Sequence, residues 1–277
     1  MCIYNGETRR ITAGLEVVLS LGAISYARGA DAIRDRRPGR VTASRDPSCA
    51  ASSRRGAELS GPSGNWLHLG VPETVGASNS AGEATFFWKS DPGLDTPDLQ
   101  TCQVEVPMTA AEMIARFNTP AASWTMYGSI VRPNSRGRIR LTGPNPLDPV
   151  QIETNMMSHP DDLRAAMACV QLCREIGNSA AFRPFVKREV MPGNLKGAAL
   201  ENFIRDSVVT YCHQTCTAKM GRDSMSVVDG NLKVYGIENL RIADGSIMPR
   251  VTTGNTMAPC VIIGERAGEI LRADHKL

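Results

Sequence analysis

This 277-residue sequence has no Gly-x-Gly-x-x-Gly loop after a strand, no Cys-x-x-Cys pair and no apolar run long enough to cross a bilayer. The first absence removes the phosphate cradle through which a dinucleotide is usually held. The second argues against a zinc ribbon or a thioredoxin-like redox motif. As for the third, the longest apolar run near the start, LEVVLSLGAISYA (Leu15 to Ala27), is too short for a span. Met1 to Leu15 is mixed polar rather than a basic start followed by an apolar core, so the expected compartment is the cytoplasm. Lysine is missing between Arg28 and Arg55, where eight arginines stand beside three acids. That segment carries a net +5, which leaves −2 for the remainder of a chain whose formal charge is +3. The basic character is therefore local, and nucleic acid is not an expected partner of the whole.

What is present is a chain of 42% hydrophobic residues, enough to bury a sizeable core in one or two domains. Eight scattered cysteines fit reduced thiols. ITAGLEVVLSLGAI (11–24) reads as a buried strand running into a turn. Residues 25–81 are rich in Ser, Ala, Gly, Pro and Arg, without a helical or strand period, and read as irregular. Order returns with strand-like GEATFFWKSD (82–91), TCQVEVPM (101–108), SWTMYGSIV (123–131) and SRGRIRL (135–141), then a turn cluster at 143–149. Helices are predicted over 159–177, with Asp161 and Asp162 at the positive end of the dipole, over 194–209, and from about 256 to 273. LRIAD (240–244) is a further strand. The fold class is α/β or α+β.

Chemistry concentrates in the last third. His213 sits in a Gly/Thr/Cys-rich loop, and Gly254-Asn255 forms a turn that opens the last helix. Cys212, His213 and Cys216 lack a fourth ligand at metal-binding spacing, so no metal is expected. Read alone, His213 is a hydrogen-bonded structural histidine, Asn255 a turn residue or cap, and Asp244 a turn former. His159 is a neighbour of a helix N-terminus and His275 a tail residue.

The pieces HQTCTAKMG, VVDGNLKVYGIENLRIADGSIMP and TTGNTMAP, followed by IGERAGEIL, occur in fixed order over 209–273. Together they resemble the C-terminal part of the glucose–methanol–choline (GMC) flavoprotein oxidoreductases, in particular the choline- and alcohol-dehydrogenase-like branch. PDLQ (97–100) and VRPNSRGRIRL (131–141) resemble that family's substrate-domain sheet, and EVVLSLGAI (16–24) a strand of its flavin domain. The resemblance implies FAD as cofactor, a small-molecule alcohol as substrate, an unidentified electron acceptor and oxidation of the alcohol to an aldehyde. It implies His213 as the base and Asn255 as the donor to the substrate oxygen. The flavin would lie against Cys212, Asp244, Gly245, Asn255, Thr256 and Met257.

The implied organisation is 1–24 as a remnant of the FAD-binding domain, 82–208 as the substrate-binding domain and 209–277 as the C-terminal part of the FAD-binding domain, with 25–81 between them irregular. The family's N-terminal glycine loop is missing, so weak FAD retention and a truncated, inactive product are expected. Residues 25 to about 80 also depart from the family pattern. Read one base later, Ile33–Arg36 running into Arg37 can encode Ser-Gly-Ile-Gly, and Ser53–Gly56 running into Ala57 can encode Pro-Gly-Val-Gly. Out-of-frame translation of this segment would also produce its arginine excess. The competing readings are a non-enzymatic fragment and an Arg-rich binding segment on a relic domain.

Overall fold

The computed structural model describes residues 2–4, 7–25, 57–59, 63–70, 82–143 and 148–277. Its largest unit is an antiparallel sheet. The strands are β5 (Ser63–Gly70), β6 (Gly82–Trp88), β7 (Leu99–Val104), β8 (Ser123–Ile130) and β11 (Arg188–Met191), in the order β11-β5-β8-β7-β6, with β12 (Val209–Thr210) also paired to β5. Three short strands precede them, β1 (Cys2–Tyr4), β2 (Glu7–Arg9) and β3 (Val17–Leu19). β4 (Ala57–Leu59) joins β9 (Gly137–Leu141) and β10 (Val150–Glu153) in a three-stranded sheet.

β8 is buried along its whole length, because both of its faces are covered. On one face, Trp124, Met126, Gly128 and Ile130 alternate toward α2 (Pro160–Gly177), as the two-residue period of a strand requires. On the other face lie Thr125, Tyr127 and Ser129. α2 begins with His159, whose Nδ1 accepts from the Asp161 amide at 3.2 Å, and Pro160 occupies a first-turn position where no amide is needed. Asp162 does more than favour the dipole. It is buried, and its two oxygens each accept a backbone N–H, from Asn134 and Ser135, both at 2.8 Å. Cys169 and Cys173, one turn apart, pack into the core with Leu69, Leu99, Met126, Ile130 and Phe203, the last from α3 (Gly197–Ser207). A short helix, α1 (Ala111–Phe117), adds Phe117 edge-on to Phe203.

A second cluster lies in the last third of the chain. Ala218, Val228, Leu232, Ile242, Ile247 and Ala267 pack together, between the loops of 215–250 and α4 (Met257–His275). Here β13 (Leu240–Ile242) pairs in parallel with β3.

Three expectations change. The stretch 25–81 was expected to be irregular throughout, yet Ser63–Gly70 is an interior strand of the main sheet, paired over eight residues with β8. A short strand is averaged away when composition is taken over a segment of that length. The out-of-frame reading of residues 25 to about 80 falls mostly, at 26–56, 60–62 and 71–81, outside the described residues. The strand at 11–24 is only three residues long and is not buried: Val17 and Val18 are exposed. Finally, His275 is not a tail residue: its Nε2 meets Glu16 Oε1 at 2.8 Å, across 259 positions of sequence. Among the described residues, no helix is long and apolar enough to cross a membrane, and no group of three His, Cys, Asp or Glu side chains is placed to hold a metal.

Candidate active site

His213 and Asn255 come from different parts of the fold and meet. The His213 loop follows β12, and Asn255 lies in the turn before α4. His213 Nε2 and Asn255 Nδ2 stand 2.9 Å apart. Asn255 Nδ2 can only donate, so in this contact the ring nitrogen takes the acceptor role. Its lone pair is the one a general base uses. His213 is half-buried, and desolvation disfavours its cation, so its pKa lies below the ordinary 6.5 even though a hydrogen bond with the Cys212 backbone acts in the opposite direction. The base form is therefore populated at neutral pH.

The turn that carries Asn255 is shaped by Gly254. Its φ is +106°, a region side chains rarely adopt, and a Cβ there would stand 3.3 Å from the ring of Phe87 on β6. α4 then begins at Thr256, which makes no side-chain cap, and no acid occupies the first turn. A 19-residue helix thus presents an uncapped positive end beside the pair. Met257, its first residue, is 72% exposed.

The walls are aromatic and uncharged. Tyr211 stands edge-on to His213 with ring centroids 5.1 Å apart, and Tyr127 packs on Tyr211 at 5.0 Å. Burial raises the pKa of both tyrosines. Tyr211 also hydrogen-bonds the Asn255 side chain. Gln100 on β7 donates from Nε2 to Asn255 Oδ1 at 3.0 Å.

The other predicted site residues are placed differently. Asp244 uses its carboxylate on the protein itself: Oδ1 accepts from Ser246 N at 2.7 Å, capping the 3-10 turn Gly245–Ile247, and Oδ2 accepts from Gly22 N at 2.9 Å. Gly245 packs on the start of α4, where an added Cβ would lie 3.2 Å from Cys260 Sγ. Cys212 is exposed, with φ at +60°. Its amide donates to Thr210 Oγ1 at 3.1 Å, which holds the loop that presents His213. Gln100 and Tyr211 had no role assigned from sequence. PDLQ was noted as a motif, but a neutral amide on a strand carries no chemical signal until its partner is known.

Residues 133–264 match the family model described as GMC oxidoreductase. Residues 133–264 are a GMC oxidoreductase C-terminal domain. The oxygen-dependent choline dehydrogenase of Stenotrophomonas maltophilia (strain R551-3) is 38% identical over 211 residues, covering 75% of this chain and 37% of that protein. The chain thus spans little more than a third of the curated relatives it matches. Among solved structures, pyridoxine 4-oxidase from Mesorbium loti superimposes with a TM-score of 0.79 at 23% identity, covering 92% of this chain and 50% of that one. The formate oxidase of Aspergillus oryzae RIB40, whose FAD modification was studied by mutation, superimposes with a TM-score of 0.75 at 18% identity, covering 95% and 55%. At these identities the superpositions show a shared fold. The GMC oxidoreductase family is an enzyme family, and its members are flavoproteins.

Proposed function

We propose that this chain forms the alcohol-activating side of an FAD-dependent oxidoreductase acting on a CH–OH donor. The observation that carries the reading is the His213–Asn255 pair, a ring nitrogen facing an amide donor across 2.9 Å. An alcohol oxygen that displaces this direct contact would accept a hydrogen bond from Asn255 Nδ2 and give its proton to His213 Nε2. The Asn255 donor stabilises the alkoxide that develops and, being neutral, does not compete for the proton. FAD, when bound, supplies the hydride acceptor that no side chain can provide.

The residues present fit one end of that cofactor. The Gly254 turn, Thr256, the uncapped positive end of α4 and exposed Met257 offer a surface suited to the ring system, with Cys212 in the loop beside His213. The diphosphate end is not served, because the sequence has no glycine loop of the required kind. Asp244 and Gly245 support this surface from behind, through Gly22 and Cys260, rather than presenting a carboxylate to the cofactor. In this reading 82–208 form the substrate side, while 209–277 together with 1–24 form the flavin side. The aromatic, uncharged walls favour a neutral alcohol with an apolar body.

A second reading is favoured by exposed apolar side chains: Ile11, Leu15, Val17, Val18 and Leu21 near the start, and Met257, Val261 and Ile262 on α4. A chain with that surface and little affinity for FAD would be an inactive, association-prone product. The visible spectrum of the purified protein, with and without added FAD, separates the two. A flavin band near one per chain, with reduction of a redox dye by an alcohol that disappears in His213→Ala, supports the enzyme. Absence of any retained flavin at micromolar FAD supports the second reading.

A further inference from the structure

His213 can serve as a base only if the nitrogen facing the substrate is unprotonated. Asn255 does not secure this unaided. Its amide is nearly symmetric, and rotated by half a turn it would present Oδ1, an acceptor, to His213. The ring would then turn a protonated Nε2 toward it and lose the free lone pair. Two neighbours bear on the pair, Tyr211 through its hydrogen bond with the Asn255 side chain and the Cys212 backbone through its hydrogen bond with the ring; a third group meets the far end of the Asn255 amide.

That group is Gln100. Its side chain belongs to the interior, only 3% exposed. It faces away from α2: its neighbour Thr101 points to Cys169 and Cys173, and Cys102 pairs across to Tyr127. From there, at the second residue of β7, Nε2 reaches Asn255 Oδ1 at 3.0 Å. The other amide atom, Oε1, is buried without a partner among the described residues. Leaving a buried acceptor unpaired is costly, and a well-packed apolar side chain would avoid it. The fold tolerates that cost here, where a donor meets Asn255 Oδ1.

We propose that Gln100 is a positioning residue: by donating to Asn255 Oδ1 it turns Asn255 Nδ2 toward His213 and so fixes the tautomer in which His213 Nε2 is unprotonated. The path is Gln100 Nε2–H to Asn255 Oδ1, then Asn255 Nδ2–H to His213 Nε2, linking the substrate-side sheet to the loop that carries the base. As a statement about the tautomer it stands by itself; as a statement about catalysis it rests on the reading of His213 as the base. The titratable side chains at the ring are Tyr211, edge-on to it, and Cys212 in its own loop, while Tyr127 on β8 and Cys102 on β7 face Tyr211. None of them offers a carboxylate that could set the tautomer instead.

The test uses the full chain labelled with nitrogen-15 in histidine, without added flavin. In the wild type, the His213 ring nitrogens are expected to report a neutral form with Nε2 unprotonated. Gln100→Glu replaces the donor by an acceptor. The carboxylate takes the hydrogen bond from Asn255 Nδ2 and turns Oδ1 toward the ring. The neutral form should switch to protonated Nε2, and the ring pKa should rise by about one unit or more. Gln100→Met, of similar length and neutral, should leave a mixture of tautomers. Amide shifts from α2 and β8 report whether each variant is folded. The proposal is overturned by a wild-type ring protonated at Nε2, by a folded Gln100→Met with an unchanged tautomer, or by a Gln100→Glu that raises the pKa while Nε2 stays unprotonated. If the wild-type tautomer is as stated but no alcohol is turned over with FAD, the functional reading fails and the positioning role survives.

Discussion

His213 owes its candidacy to a balance that a single substitution or a change of pH can upset. Burial holds its pKa below 6.5, and only the neutral ring can accept a proton. A base of this kind is lost as pH falls through its own pKa. With FAD supplied, kcat/KM should therefore be level through neutral pH and decline on the acid side below 6.5, one proton at a time. His213→Ala should lower the rate by about 10²- to 10⁴-fold and abolish that acid limb. A pH–rate profile with an unchanged limb in His213→Ala would reassign the titrating group. Asp162 is a residue-scale case with a structural outcome. Its carboxylate is 2% exposed and satisfies two backbone amides. Asp162→Ala should leave both unpaired at a cost of about 1–3 kcal/mol each, read as a lower urea midpoint with an unchanged slope.

At the scale of elements, the contact between β8 and α2 is closely packed. A Cβ on Gly128 would lie 2.5 Å from Cys169 Sγ and 3.4 Å from Cys173 Sγ. Gly128→Ala should therefore separate helix from sheet and cost about 1–3 kcal/mol. The double variant Gly128→Ala/Cys169→Ala should recover most of that loss in a thermal melt; no recovery would show that the strain lies elsewhere. This contact also illustrates what could be read from sequence. The alternation in SWTMYGSIV and the period of HPDDLRAAMACVQLCREIG gave β8 and α2 nearly to their ends, with Cys169 and Cys173 assigned to packing. Their mutual depth was not legible, because it depends on a glycine opposite a thiol in another element. β5 was missed for a different reason: its short alternating run was swamped by the surrounding composition. β3 was expected to be buried from its apolar residues, but burial requires neighbours, and the described structure gives it only β13. At the site, His213 and Asn255 were legible through motif order. Gln100 and Tyr211 were not, since an amide and a phenol acquire meaning only from what they face.

At the scale of the whole molecule, a cluster of charges joins the segment around Glu16 to β13 and the last helix, beside the apolar cluster there. Arg241 on β13 is buried. It reaches Glu16 Oε2 at 2.8 Å, Asp274 Oδ2 at 2.5 Å and the Asn231 carbonyl at 2.8 Å, while His275 holds the other oxygen of Glu16. One guanidinium thus ties the first described segments to the last helix. Burial acts to raise the Glu16 pKa, but the bonds from Arg241 and His275 outweigh it and leave the carboxyl below its ordinary 4.5. A depressed carboxylate contributes stability that is present above its unfolded pKa and lost as pH falls through the folded one. The clasp should accordingly be intact at neutral pH and loosen below 4.5. Arg241→Met leaves Glu16 and Asp274 facing an apolar stem, and the segment around Val17–Leu19 should open first, because it directly follows Glu16. Hydrogen exchange read by mass spectrometry gives the comparison. Peptides covering 16–24 and 240–243 should lose protection in the variant at pH 7, and in the wild type only on acidification, while peptides from β8 keep theirs. Equal loss in β8 would mean that the clasp supports the entire fold, and unchanged exchange at 16–24 would mean that the parallel pairing of β3 with β13 holds without it.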